Sequence, residues 1–123
     1  AVVLQGSLKL LDDSYGSFRD VTVQNDIGSV VEVWSSEWAF TSCSLQAAGH
    51  FGVSPVCVYA HRLAVLTLTG CSLSKLHTSR KRDVCHTGLY VCDRAFVTMT
   101  NSTSEGHKTS DVCAGDRGRA ELS

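Results

Sequence analysis

Leu63-Ala64-Val65-Leu66-Thr67-Leu68-Thr69-Gly70 is the stretch on which the reading of the fold turns. It joins apolar and β-branched residues in a short run, and Gly70 closes it as a turn residue closes a strand. Val56 to Tyr59 just before it reads the same way. Gly88 to Val97 after it supplies another strand, with Tyr90, Val91, Phe96 and Val97. Upstream, strand-like Phe18 to Gln24 and Val30 to Trp34 flank the turn residues Asn25-Asp26-Ile27-Gly28, which predicts a β-hairpin over Phe18 to Trp34. Ser35 to Gly49 supports two readings. One is a short helix near 36–48, capped by Ser35 or Ser36 and ended by Gly49. The other is a strand in which Trp38, Phe40 and Ser42 alternate. Six to eight short strands with polar connections make the expected fold class all-β, an antiparallel β-sandwich or barrel.

The 123 residues fit one domain, expected over 1–113, with 114–123 as a flexible C-terminal tail. Hydrophobic residues make up 43% and charged residues 19%, which excludes a disordered chain. A formal net charge of −1 gives no global attraction for nucleic acid or an acidic membrane, so a charged partner would need a local patch. No run approaches the ~20 apolar residues of a membrane span. The opening Ala1-Val2-Val3-Leu4-Gln5-Gly6 is too short, and too poor in basic residues, to be a signal peptide.

Six cysteines stand at Cys43, Cys57, Cys71, Cys85, Cys92 and Cys113, with gaps of 14, 14, 14, 7 and 21. An even count in a short chain predicts a disulfide framework, and with it a secreted, extracellular or virion-surface protein. The 14-residue spacing matches one strand plus its connection, so successive cysteines are expected at related positions on successive strands. No two cysteines stand in the close spacing of a zinc knuckle. A metal set could be assembled only from Cys85, His86 and Cys92 with Cys71 or His77, and no metal or other cofactor is expected.

Asn101-Ser102-Thr103 is an N-glycosylation acceptor and supports the secretory reading. Arg80-Lys81-Arg82 reads as a solvated loop tip within Ser72 to Asp83, as a processing site for a dibasic-cleaving protease, or as a patch for acidic glycans or phosphate, which Lys75 and His77 would enlarge. No aromatic residues interleave with it, so base stacking is unsupported. No nucleophile elbow, phosphate loop or paired-carboxylate motif is present. A small hydrolase or nuclease would have to draw on His50, His61 and Lys75.

His86-Thr87-Gly88-Leu89-Tyr90-Val91-Cys92 resembles the F-strand signature of immunoglobulin domains in Gly88, Tyr90 and Cys92, with His86 where that family has aspartate. The resemblance implies a tyrosine corner at Tyr90 and a bridge from Cys92 to Cys43. No tryptophan follows Cys43 by a dozen or so residues, and Cys57 and Tyr59 occupy that region instead. The expected function is a disulfide-stabilised binding module whose loops recognise another protein or a glycan. Ser72 to Asp83, Asn101 to Lys108 and Ser35 to Phe40 are the candidate loops. Arg80, Lys81, Arg82, Trp34 and Trp38 are the candidate contacts, because arginine and tryptophan dominate interface hot spots. The alternatives in other classes are the histidine-dependent hydrolase and an intracellular zinc module.

Overall fold

The structure, a computed structural model, describes residues 2–49, 55–80, 82–108 and 110–123. The chain winds as a parallel β-solenoid with three short strands per turn. The first turn holds β1 (Val2–Gln5), β2 (Leu8–Leu10) and β3 (Tyr15–Arg19). The second holds β4 (Val21–Asn25), β5 (Val31–Trp34) and β6 (Glu37–Thr41), and the third β7 (Ser44–Ala47), β8 (Val56–His61) and β9 (Val65–Thr69). The fourth holds β10 (Ser72–Lys75), β11 (Thr87–Val91) and β12 (Phe96–Thr100). β13 (Thr103–Glu105), β14 (Ser110–Ala114) and β15 (Arg119–Leu122) carry the winding beyond about four turns. Every third strand stacks, giving three five-stranded sheets in the orders β1-β4-β7-β10-β13, β2-β5-β8-β11-β14 and β3-β6-β9-β12-β15.

Every pairing between these strands is parallel, so equivalent residues stand in columns along the axis. Leu4, Val23, Leu45 and Leu73 form one inner column. Val31, Val58 and Leu89 form another, and Phe18, Phe40, Leu68 and Met99 a third. These columns meet in a single apolar core. Alternation of side chains across each strand puts the polar residues outside. On the first sheet the outward glutamines form a ladder, Gln5 Nε2 donating to Gln24 Oε1 (2.8 Å) and Gln24 Nε2 to Gln46 Oε1 (2.7 Å).

The corners turn the chain from one sheet to the next. Between the third sheet and the next turn of the first, one residue in the left-handed region turns the chain: Asp20, Ser42, Gly70 or Asn101. Gly, Asn, Asp and small polar residues tolerate that conformation best. Between the second sheet and the third, two residues in that region stand in succession at Arg62-Leu63, Asp93-Arg94 and Asp116-Arg117, and there too the chain passes to a different sheet.

Several expectations are corrected here. The antiparallel sandwich or barrel and the immunoglobulin resemblance are overturned by the parallel stack. Phe18 and Trp34 lie on β3 and β5 in different sheets, so no hairpin joins them. Asn25-Asp26-Ile27-Gly28 does turn, with the Ile27 amide donating to Asn25 Oδ1 (3.2 Å), but it leads to the second sheet. The helix near 36–48 is replaced by β6 and β7, and no helix occurs among the described residues. All six cysteines are free. Cys57 Sγ and Cys85 Sγ stand 3.6 Å apart, against about 2.05 Å in a disulfide. The Cys43–Cys92 bridge is absent too: the Cys43 thiol donates to Thr41 O (3.4 Å), while Cys92 Sγ lies 3.7 Å from Tyr59 Oη.

Candidate functional site

The outer face of the β2-β5-β8-β11-β14 sheet gathers aromatic residues from separate turns. β5 presents Glu32 and Trp34, β8 presents Tyr59 and His61, and β11 presents Tyr90. Parallel register places Trp34 beside His61 and Tyr59 beside Tyr90. The Trp34 and His61 rings lie 4.3 Å apart, Tyr59 and His61 4.5 Å apart edge to face, and Tyr59 and Tyr90 5.2 Å apart and stacked. The Arg62 guanidinium covers Trp34 at 4.4 Å from the ring centroid, within cation–π range. Lys9 and Glu32 pair at 3.9 Å on the same sheet.

These contacts tune the groups involved. Burial pushes His61 below its ordinary 6.5, and its Nε2 is buried with no hydrogen-bond partner. The imidazole is therefore neutral within the aromatic run at neutral pH. Burial, followed by the Cys92 thiol, pushes Tyr59 up to about 12.

Trp38 has a different role from Trp34. It stacks on Phe18 (5.3 Å) and donates from Nε1 to Ser14 Oγ (3.0 Å). Gly16 makes room for it, since a Cβ there would sit 2.7 Å from the indole ring. Trp38 is partly buried and packs against the edge of the core.

Arg80 closes the long connection between β10 and β11. Its Nε donates to Asp83 Oδ2 (2.7 Å) and its Nη2 to Asp26 O (2.6 Å). Gly49 and Val84 form a short antiparallel bridge in the same region. Arg82 is exposed, while Lys81 and His50 lie outside the described residues. Ser72 to Lys75, expected in a loop, are strand β10. Desolvation opposes the Asp83 carboxylate, but hydrogen bonds from Arg80 and Thr78 outweigh it and hold its pKa below the ordinary 3.8. A depressed carboxylate stabilises the fold above its unfolded pKa and loses that contribution as the pH falls through the folded value. Amide exchange in 76–86 is thus expected to accelerate selectively below about pH 3.8. Asp83→Asn should show fast exchange there already at pH 7; exchange in the variant matching the parent at pH 7 would refute this role.

A second cluster lies at the corner between the first and second sheets. A ring nitrogen of His107 and the sulfurs of Cys57 and Cys85 all lie within 4.8 Å of one another. Both cysteines are buried. The hydrogen bond with Cys57, and then His107, bring Cys85 down to about 6 against the effect of burial, while Cys57 is pushed up. The metal set conceivable from the sequence is not brought together: Cys92 contacts Tyr59 and Cys71 donates to Phe40 O (3.2 Å). Asn101 is exposed at its corner, between β12 and β13.

Among the described residues, the hollows lined by Asp13, Ser35 and Leu63, and by Asp93, Arg94, Asp116 and Arg117, have no histidine in their lining. Among the described residues no helix is long and apolar enough to cross a membrane. Comparison of the chain with protein-family models, with curated proteins and with solved structures gives no match.

Proposed function

We propose that this chain is a protein-binding module whose recognition surface is the outer face of the β2-β5-β8-β11-β14 sheet. The observation that carries this reading is the continuous run of Trp34, His61, Tyr59 and Tyr90 with Arg62 over Trp34. Tryptophan, tyrosine and arginine are the side chains richest in interface hot spots. Here they stand on paired strands, so binding would order few groups that are not already held.

The geometry also favours protein over the alternatives. Tyr59 and Tyr90 turn ring faces toward one another and Arg62 covers a face of Trp34, which reduces the π-surface free for a sugar ring or nucleobase. Stacking on open aromatic faces is what a single-stranded nucleic acid requires. The net charge of −1 adds no pull on a polyanion. Lys9, Glu32 and Arg62 around the run suit a partner with an apolar centre and charges of both signs.

The test is selection of a random-peptide display library on the immobilised chain, with a Trp34→Ala, Tyr59→Ala double variant in excess in solution. Enriched peptides are expected to bind Trp34→Ala roughly 30-fold more weakly, the loss of a single hot spot of about 2 kcal/mol. Failure to enrich any peptide, or enrichment of peptides that bind both forms alike, would sink the assignment to this face.

A further inference from the structure

We propose that Cys57, Cys85 and His107 form a site for a soft divalent cation, with zinc the ion that their donor set fits. Three successive turns each contribute one donor at the same corner. Cys57 comes from β8, Cys85 from the connection between β10 and β11, and His107 from the connection between β13 and β14. Two thiols and an imidazole are a donor set that zinc prefers and that magnesium or calcium does not.

The distances fit. Tetrahedral geometry with Zn–S bonds of about 2.3 Å separates two ligating sulfurs by about 3.8 Å. Cys57 Sγ and Cys85 Sγ stand 3.6 Å apart, and the His107 nitrogen lies within 4.8 Å of both.

The histidine supplies an independent observation. Its Nε2 lies 3.1 Å from Leu73 O, so an N–H there donates to the carbonyl and Nδ1 keeps its lone pair. Nδ1 is buried and has no hydrogen-bond partner. A ring held through one nitrogen by a backbone carbonyl, with the other nitrogen unpartnered, is the usual arrangement of a metal-binding histidine. Gly88 makes the cradle. A Cβ at that position would lie 2.7 Å from His107 Nε2 and 2.6 Å from Asp111 O.

Loading the site releases to solvent whatever protons the two sulfurs still carry and changes no oxidation state. Three protein donors leave the fourth position to water or a small anion. The ion would tie together the turns whose connections vary most in length, at a corner separate from the aromatic face.

The test uses the whole reduced chain and cobalt(II) as the spectroscopic probe. One equivalent is expected to produce thiolate-to-cobalt charge-transfer absorption and the visible bands of a tetrahedral centre, both bleached by one equivalent of zinc. Cys85→Ser and His107→Gln should lose these bands, while Cys113→Ser, altered elsewhere on β14, should keep them. Zinc should raise the melting temperature of the parent chain and of Cys113→Ser, but not of His107→Gln. Circular dichroism identifies any variant that fails to fold, and His107→Gln leaves both thiols intact. Absence of the bands in the folded, reduced parent, or their survival in either ligand variant, would overturn the site.

Discussion

Phe40→Ala is expected to lower the unfolding free energy by about 3–5 kcal/mol, the usual range for deleting a buried aromatic ring. Phe40 is fully buried on β6 in the middle of an inner column, between Phe18 on one turn and Leu68 on the next. Its ring stacks on Phe18 at 5.1 Å, and its carbonyl accepts the Cys71 thiol at 3.2 Å. Removing the ring takes contacts from both neighbouring turns, and the strands cannot close the gap without breaking register. Set against a total stability of about 5–15 kcal/mol, this loss is large. Phe18 is only partly buried, and Phe18→Ala should cost less. Urea unfolding of the three proteins measures both effects. A loss below about 1 kcal/mol for Phe40→Ala would mean that the ring faces solvent. The register of β6 would then be shifted by one residue and the inner columns assigned here would be wrong.

That register also separates what could be read in the chain from what could not. The run Leu63 to Gly70 reads as a strand because its alternation survives any pairing, and β9 lies within it. The direction of pairing leaves no such local mark. Phe40-Thr41-Ser42-Cys43-Ser44-Leu45 and Leu68-Thr69-Gly70-Cys71-Ser72-Leu73 repeat one another across a corner, and Met99-Thr100-Asn101-Ser102-Thr103-Ser104 follows the same pattern. This repeat was the available signal for a solenoid. It is obscured because the connections from the first sheet to the second differ in length from turn to turn, so no fixed period runs through the chain. Cys43 and Cys71 stand one turn apart at equivalent positions beside Ser44 and Ser72, which pair across the sheet, whereas Cys57 is level with Gly88 and not with Cys85, so the equal spacing is not a structural period.

The aromatic face was legible only in part. Trp34 is conspicuous as a residue type, but its company with His61, Tyr59 and Tyr90 depends on parallel register and on nothing nearby in sequence. His61 drew attention as a potential acid–base group, whereas the structure gives it two aromatic neighbours. His107 carried no signal at all. It meets Cys57 and Cys85 because two full windings bring distant connections to one corner, and the motif spacing of an ordinary zinc site does not arise that way.

Gly118→Ala is expected to cost roughly 3 kcal/mol, at the upper end of overpacking penalties, and to act on one end of the stack. A Cβ at Gly118 would lie 2.4 Å from Val91 O, 2.5 Å from Val91 C and 2.6 Å from Cys92 N. All three obstacles are backbone atoms of the turn beneath, so no rotamer change relieves them. The preceding Gly115 amide donates to Val91 O at 2.9 Å, and Arg119 donates to Ala95 O at 2.9 Å, which fixes the last corner against the turn below. The Cβ must therefore lift this corner and pull β15 from β12. Turns of a solenoid interact mainly with their nearest neighbours, so damage at one end need not spread through the stack. Hydrogen exchange is expected to show lost protection in β15 and the adjoining part of β14, with β5 and β8 keeping theirs. Uniform loss of protection across all turns would show that the stack unfolds as one cooperative unit. Unchanged protection in β15 would mean that the close approach of Gly118 to Val91 is wrong.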